Sequence, residues 1–318
     1  MVLFLADDEV SRLLDADVAY SAAYEAFGLL GRREATNGVR QRTVHGAATV
    51  NVMAAVAPPL EVMGVKTYPV VRTDVTQGSA FTLQLFALAT GELTTVLRAG
   101  TLGNRRTAAA TAVATSVLAC ADSKTLTVFG TGWVAREQVT ATLRQLPGVE
   151  QVIAVGRSRE RLTTFCTDMK EQTGRPVTPG EPEPAVRAAD IIITATGSRT
   201  PVFDGSWLQP GTHVNAVGSN YAEKQEIDRT AIASAGAVIV DDLDVAHQEC
   251  GDLIIGLDDW SGVAGLGDVI AGTATGRASD SQITLFESQG MAILDVTAGA
   301  RVAALAREQG IGATLDTW

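Results

Sequence analysis

The sequence predicts an α/β protein of two domains: a doubly wound parallel sheet, and an α+β domain built on an antiparallel sheet. Three observations carry this expectation. The stretch LTVFGTGWVAREQVTATL, from Leu126 to Leu143, is an apolar run, then Gly-Thr-Gly, then a segment with apolar residues at helical spacing. Beyond it, nearly continuous apolar strands alternate with helical segments, the pattern of a parallel sheet covered on both faces. Ahead of it, from Val39 to Leu97, short β-rich runs are separated by Pro-Pro, Gln-Gly and Thr-Gly-Glu turn signals, as in an antiparallel sheet.

Taken in order, Asp15 to about Arg33 carries Val18, Ala22, Ala26, Leu29 and Leu30 at helical spacing behind acidic residues suited to a helix N-terminus. The β-rich runs RTVHGAATVNVMAAV, VMGVKTYPVV, SAFTLQLFAL and ELTTVLR follow. GNRRTAAATAVATSVLACA, Gly103 to Ala121, is an unbroken Ala-rich helix that links the two halves. Strands TLTVFG, QVIAVG, ADIIITAT, THVNAVG and GAVIVDD then alternate with helices, among them Arg159 to Gln172 and Asp228 to Ser234, and TPGEPEPA reads as a loop. The tail gives one strand and a long helix whose apolar positions, including Ile293, Val296, Val302 and Leu305, exceed what the parallel sheet needs, so that helix is expected to return to the first domain. The expected division is residues 1–121 with about 291–318 for the first domain and 122–290 for the second.

Composition narrows the function classes. The 318 residues are 46% hydrophobic and 19% charged, with a formal net charge of −11. That balance repels nucleic acid and anionic membrane, so an anionic ligand must be gathered by a local basic pocket. No apolar run reaches about 18 residues, and MVLFLADDEV turns acidic without a basic start, which supports neither a membrane span nor a signal peptide and makes the cytoplasm the expected location. Cys120, Cys166 and Cys250 are widely spaced, which argues for buried thiols over a disulfide framework or zinc cluster. His45, His213 and His247 have no metal-ligand spacing and there is no G-x-S-x-G elbow, so metal and serine-hydrolase chemistry are not expected.

Gly130, Gly132 and Ala135 form G-x-G-x-x-A at a strand-to-helix turn. The first Gly makes the tight turn, the second admits a pyrophosphate, and the Ala lets helix and strand pack closely, the Rossmann-type arrangement. A plain architectural turn is the alternative. At the end of the next strand, an acidic residue would hold a ribose 2′-hydroxyl and an Arg would receive a 2′-phosphate. Here stand Arg157, Ser158 and Arg159, favouring NADP(H) over NAD(H), with NAD(H) still possible; the alternative is that the arginines cap a solvated turn. SRTPVF follows another strand end, where it suits either nicotinamide contacts or a bare turn. The cofactor-binding set is Gly130, Thr131, Gly132, Trp133, Val134, Ala135, Arg157, Ser158, Arg159, Thr196, Gly197, Ser198, Val217 and Gly218.

Three cations of the first domain stand out: Arg42 in RQRTVH, Lys66 in MGVKTYPV and Arg106 in GNRRTAAA. A buried cation is costly unless paired or bound to an anion. Spacing alone favours structural or surface salt bridges for them, and a carboxylate clamp requires that they converge.

These pieces, in this order, resemble the ornithine cyclodeaminase and mu-crystallin family over nearly the whole chain. The supporting stretches are MGVKTYP, TGELTTVLRAGTLGNRRTAAATAVAT, FGTGWVAREQV, AADIIITATGSRTPVF, PGTHVNAVGSN, EID, VDD, ECGDL and GRASDSQITLFESQGMAILD. The resemblance implies a homodimer, with the antiparallel domain holding an amino- or imino-acid substrate and Arg42, Lys66 and Arg106 binding its α-carboxylate. It also implies one of two chemistries: NAD-dependent cyclodeamination of ornithine, or NAD(P)H-dependent reduction of cyclic imino acids, ketimines or 2-oxo acids.

Two departures separate this chain from the cyclodeaminases. Asn220 stands where they carry an Asp that meets the substrate's amines, and Met53 stands where they carry a Glu between the clamp positions. An amide and a thioether cannot take a proton as a carboxylate does, so deaminative ring closure loses its obvious acid–base groups. Glu226 or Asp228 is the alternative substitute, but both are expected to belong to the following helix. The expectation is therefore an NADPH-preferring reductase of a small cyclic 2-imino carboxylate, with Lys66 polarising or protonating the imine nitrogen and Asn220 hydrogen-bonding nearby. The alternatives are a cyclodeaminase, an open-chain amino-acid dehydrogenase, and a non-catalytic protein in which the dinucleotide regulates a small-ligand site.

Overall fold

The computed structural model describes residues 1–71, 80–218 and 220–315. The loop Arg72 to Gly78, expected to shape the substrate pocket, lies outside the described residues. The chain divides into two compact units, Met1–Thr107 with Gly290–Trp318, and Ala108–Gln289. The division falls inside the Ala-rich helix Gly100–Leu118 and not after it at residue 121.

In the first unit the sheet runs Ala313–Leu315, Val2–Leu5, Leu93–Arg98, Thr82–Ala87, Val62–Val71, Ala48–Ala57 and Thr36–Asn37, with Gln41–His45 also pairing with Ala48–Ala57. Among the described residues it is antiparallel apart from one parallel pair, Val2–Leu5 with Leu93–Arg98. The sheet therefore extends beyond the expected Val39–Leu97 span and recruits both ends of the chain. Helix Ala16–Gly31 begins at Asp15, whose carboxylate accepts from the N–H groups of Asp17 and Val18 at 3.0 and 2.9 Å. Such a cap is worth about 1 kcal/mol. This helix packs on the C-terminal helix Ala292–Gln309, which lies against the strands Ala48–Ala57, Val62–Val71 and Thr82–Ala87. Of the C-terminal helix's expected apolar positions, Ile293, Val296 and Val302 are buried in the first unit and Leu305 is half-buried.

The second unit holds a wholly parallel sheet among its described residues, in the order Val177–Pro179, Gln151–Val155, Thr125–Phe129, Ile191–Thr194, His213–Ala216, Thr284–Glu287, Ala237–Val240 and Val263–Gly265. Every residue of Thr125–Phe129 and Ile191–Thr194 is buried, because alternate side chains enter cores on opposite faces. Phe129, Ile192, Val214 and Leu285 enter one, and Leu126, Val128, Ile191 and Ile193 the other. Strand order reverses direction beside Thr125–Phe129, making a switch point whose C-terminal side is the usual ligand crevice of such sheets.

Three local expectations need correction. TPGEPEPA is not simply a loop: it contributes the end of the edge strand Val177–Pro179 and a helix, Pro182–Arg187, opened by a proline at its first position. Asp228 caps helix Arg229–Ser234 by accepting from Ala231 N–H at 2.7 Å, but Glu226 lies outside that helix. Cys166 and Cys250 are buried free thiols, whereas Cys120 is only half-buried.

Candidate active site

Lys66 sits mid-strand, directly opposite Met53 on one side and Leu83 on the other. Paired residues share a face, so its ammonium stands in the layer covered by the C-terminal helix. Arg106 projects from the helix Gly100–Leu118. That helix is held at its start by Asp7, which accepts from Thr101 N–H and Oγ1 at 2.9 and 2.6 Å. Adjacent helical residues diverge by about 100°, which splits the Arg-Arg pair. Arg105 donates through Nη1 to the carbonyls of Ser11 and Leu14, both at 2.6 Å, and Arg106 turns inward.

The two cations meet on Asp295. Lys66 Nζ lies 2.7 Å from Oδ2, and Arg106 Nε lies 3.0 Å from Oδ1. All three are buried, at 3%, 6% and 0% exposure. Asp295 stands in the first turn of helix Ala292–Gln309, where the helix dipole favours a negative charge. One carboxylate thus serves two buried cations, and Arg106 Nη1 has no hydrogen-bond partner among the described residues. Gly290 precedes that helix, and a Cβ there would fall 2.8 Å from Arg106 Nη1, so only glycine leaves room for the guanidinium.

Burial, and then the positive charge of Arg106, lower the Lys66 pKa to about 7, against the opposing pull of Asp295. Arg40 also lowers it, and its Nη2 donates to the Gly290 carbonyl at 3.2 Å. Spacing had not singled out Arg40 or Asp295. Arg42 lies opposite Asn51, itself opposite Tyr68, so it shares the Lys66 face two positions along the sheet. The Tyr68 ring centroid is 5.7 Å from Lys66 Nζ, within cation–π range. Lys66, Met53 and Arg106 are therefore brought together with Asp295, and Arg42 stands along the same face. Asn220 is half-buried in the loop after strand His213–Ala216, in the second unit.

The second unit contains the glycine turn. Gly130 has φ +114°, and a Cβ on it would fall 2.5 Å from the Ala195 carbonyl oxygen, so this position needs glycine. Gly132 precedes helix Trp133–Gln145 with no side-chain cap, and a Cβ there would meet nothing within 4 Å. Trp133 and Val134 are exposed, while Ala135 is fully buried against the sheet. An uncapped helix N-terminus facing open space beside a glycine turn fits a dinucleotide pyrophosphate. Arg157, Ser158 and Arg159 are exposed where strand Gln151–Val155 ends. Ser158 caps the next helix, its Oγ accepting from Arg161 N–H at 3.4 Å. Thr196, Gly197 and Ser198, and Val217 and Gly218, follow the C-terminal ends of strands Ile191–Thr194 and His213–Ala216. Among the described residues no group of His, Cys, Asp and Glu is arranged to hold a metal ion, and no helix is long and apolar enough to cross a membrane.

Comparison with known proteins agrees with this architecture. The model of the ornithine cyclodeaminase/mu-crystallin family matches residues 5–310. A Delta(1)-pyrroline-2-carboxylate reductase of Bacillus cereus is 36% identical over 277 residues, 84% of this chain and 85% of that protein. The structure of Thermococcus litoralis Delta(1)-pyrroline-2-carboxylate reductase in complex with NADH and L-proline superposes with a TM-score of 0.92 at 25% identity, covering 99% of this chain and all of the other. An archaeal alanine dehydrogenase dimer with bound NAD gives a TM-score of 0.94 at 28% identity, over 100% and 99% of the two chains. With the glycine turn, the two-unit architecture and the family match over nearly its whole length, the chain belongs to the ornithine cyclodeaminase/mu-crystallin family.

Proposed function

We propose that the protein is an NADPH-preferring oxidoreductase that adds hydride to the C=N carbon of a small cyclic 2-imino carboxylate, such as pyrroline-2-carboxylate or piperideine-2-carboxylate, to give the L-amino acid. The observation that carries this is the buried Lys66–Asp295–Arg106 cluster, with two cations on one carboxylate and Arg106 Nη1 unpartnered among the described residues. A substrate carboxylate would neutralise the excess charge and accept from that nitrogen. The Bacillus relative is named for the same reduction, and the Thermococcus structure holds NADH and L-proline.

In this reading Arg106 and Lys66 fix the carboxylate, with Arg42 along the same sheet face, and catalysis is largely positioning. The reduced nicotinamide, when bound, supplies hydride. The imine carbon gains that hydride and the nitrogen gains one proton, so the C=N double bond becomes an amine. Lys66, with a pKa near 7, is suited to hand over that proton and recover it from water. Met53, opposite Lys66, offers an apolar wall suited to ring methylenes and no carboxylate for deaminative ring closure. Asn220 is assigned to the imine nitrogen or a neighbouring substrate group by resemblance. The residues of the glycine turn hold the pyrophosphate, those from Thr196 to Ser198 with Val217 and Gly218 the nicotinamide half, and those from Arg157 to Arg159 the adenosine end. Preference for NADPH rests on Arg157 and Arg159, which are exposed where strand Gln151–Val155 ends. A homodimer is part of the proposal, supported by the dimeric alanine dehydrogenase and by Val44, Val50 and Val71, exposed at one end of the first sheet.

The experiment is oxidation of NADPH and NADH by the purified protein, with the two cyclic imines, then pyruvate and ammonium, and separately ornithine with NAD. Rapid NADPH loss with a cyclic imine is expected. Turnover only with pyruvate and ammonium would move the protein to an open-chain amino-acid dehydrogenase, and ornithine-dependent ammonia release to a cyclodeaminase. Tight cofactor binding with no turnover on any substrate would make it a binding protein.

A further inference from the structure

Glu226 is wholly buried in the second unit, close to two loops that leave the C-terminal ends of adjacent parallel strands. Its Oε1 accepts from Thr196 N–H and Thr196 Oγ1, both at 2.6 Å. Its Oε2 accepts from Gly218 N–H at 2.7 Å and Thr194 Oγ1 at 3.0 Å. One side chain therefore ties the loop after Ile191–Thr194 to the loop after His213–Ala216. The fit leaves no slack, because a Cβ on Gly218 would fall 2.4 Å from Glu226 Oε2 and 2.2 Å from the Thr196 carbonyl oxygen.

The segment bearing Glu226 is itself anchored. Asp252 Oδ1 accepts from the N–H groups of Glu226 and Ile227 at 2.7 and 2.9 Å, and the Glu226 carbonyl accepts from Val202 N–H at 2.8 Å. Burying two carboxyls this close is expensive. A helix cap or an apolar contact could join two loops at less cost. What the carboxyl uniquely provides is two oxygens that each take one loop's backbone N–H.

We infer that Glu226 is a positioning residue that sets the spacing of the Thr196 and Gly218 loops, and through them the nicotinamide half of the cofactor pocket. It does not act as the acid–base substitute for the absent cyclodeaminase aspartate, since both of its oxygens are engaged by the loops. The inference rests on the proposed dinucleotide function and deepens it.

Glu226→Gln is the decisive substitution. A glutamine has one acceptor oxygen, so whichever way its amide turns, an NH2 group faces either Thr196 N–H or Gly218 N–H and one loop is released. Losing a hydrogen bond to a charged group is worth roughly tenfold or more. Direct binding of NADPH and of 2′,5′-ADP, which carries only the adenosine end, is measured on wild type and variant by calorimetry, alongside kcat and KM for the imine. Expected are NADPH affinity weakened by roughly tenfold, 2′,5′-ADP affinity unchanged, and a lowered kcat. Thr194→Val removes one hydroxyl donor at constant shape and is expected to shift NADPH binding the same way by a smaller factor; it decides the matter alone if Glu226→Gln does not fold. Equal losses for NADPH and 2′,5′-ADP would make Glu226 a general structural residue, and unchanged NADPH binding and turnover would remove its role; either overturns the inference. If wild type binds neither NADPH nor NADH, the functional proposal falls first and takes this inference with it.

Discussion

Asp295→Asn tests the cation cluster most directly. Asparagine keeps the volume but has one acceptor oxygen and an NH2 donor, so it can serve Lys66 Nζ or Arg106 Nε but not both. Arg106 is left without a counter-charge, and so is Lys66 wherever it is still protonated. Removing one partner from a buried ion pair costs about 3–5 kcal/mol, and roughly 2–4 °C per kcal/mol for a domain of this size predicts a fall in Tm of roughly 10 °C. Lys66→Met behaves differently, because Asp295 keeps Arg106 at 3.0 Å while one buried charge disappears. Its cost is expected to stay below about 1.5 kcal/mol. The double variant Lys66→Met/Asp295→Asn removes one of the stranded cations and should recover about 2 kcal/mol of the Asp295→Asn loss. Thermal and urea melts of wild type, both singles and the double at about pH 6, where Lys66 is charged in the wild type, complete the cycle. If Asp295→Asn melts within about 2 °C of wild type, or the two losses simply add, the carboxylate is not neutralising the cluster.

Lys66→Met should retain NADPH binding and lose roughly a hundredfold in kcat/KM for the imine, as expected for a buried charged hydrogen bond removed from one side only; unchanged kinetics would remove the clamp. Because the Lys66 pKa is lowered to about 7, the ammonium is charged below that pH and neutral above it, so kcat/KM should fall as pH rises through about 7. A flat profile between roughly pH 6 and 9 would contradict this assignment. Arg157→Asp should raise the NADH to NADPH preference by roughly tenfold or more, since it replaces a phosphate partner with a ribose-hydroxyl acceptor; an unaltered ratio would place the 2′-phosphate elsewhere. Buried His213, against Thr284 Oγ1 and Asn215 Oδ1, has its pKa lowered to about 3, chiefly by burial and then by Arg277. The unfolded chain then binds one more proton than the folded chain between about pH 6.5 and 3, so this group costs stability as pH falls. Asp252, raised to about 7 mainly by burial, acts with the opposite sign over the same interval. Comparing wild type with His213→Gln cancels the Asp252 contribution: their stability difference should shift by about 2 kcal/mol in favour of the variant between pH 6.5 and 5. A pH-independent difference would mean that His213 takes up its proton as readily in the folded state as in the unfolded chain.

The parallel sheet was legible because its strands satisfy one local rule. Buried on both faces, Leu126, Val128, Phe129 and Ile191 to Ile193 are apolar, the one polar residue among them, Thr127, donating its hydroxyl to the Ala185 carbonyl at 2.9 Å, and a glycine turn fixes where the first helix starts. The first sheet was legible only in its middle. Val2–Leu5 pairs with Leu93–Arg98 and Ala313–Leu315, partners far away in sequence, and its four residues carry no turn signal that announces pairing. Helix Pro182–Arg187 was missed because two prolines in six residues outweigh helix propensity, although proline at the first position lacks only an N–H that would have no intrahelical partner.

The site divides along the same line. Lys66 drew attention because a lysine inside an apolar strand breaks the local pattern, and Arg106 because it heads an Ala-rich helix. The groups that explain their burial break no pattern. Asp295 is 229 residues from Lys66 and 189 from Arg106, and in sequence it is an ordinary acidic residue in the first turn of a helix. Glu226 similarly reads as the start of the Arg229–Ser234 helix, yet it lies before that helix and binds residues 30 and 32 positions earlier. A lone charge in an apolar context signals that a partner exists, but burial energetics require only opposite charge and good geometry, not proximity in the chain. The partner can then be any acidic residue the topology delivers, so the informative sequence signal is the anomaly. Lys66 and Arg106 are two such anomalies meeting on one carboxylate, which accounts for one positive charge and, in the proposed function, leaves the other for the substrate carboxylate.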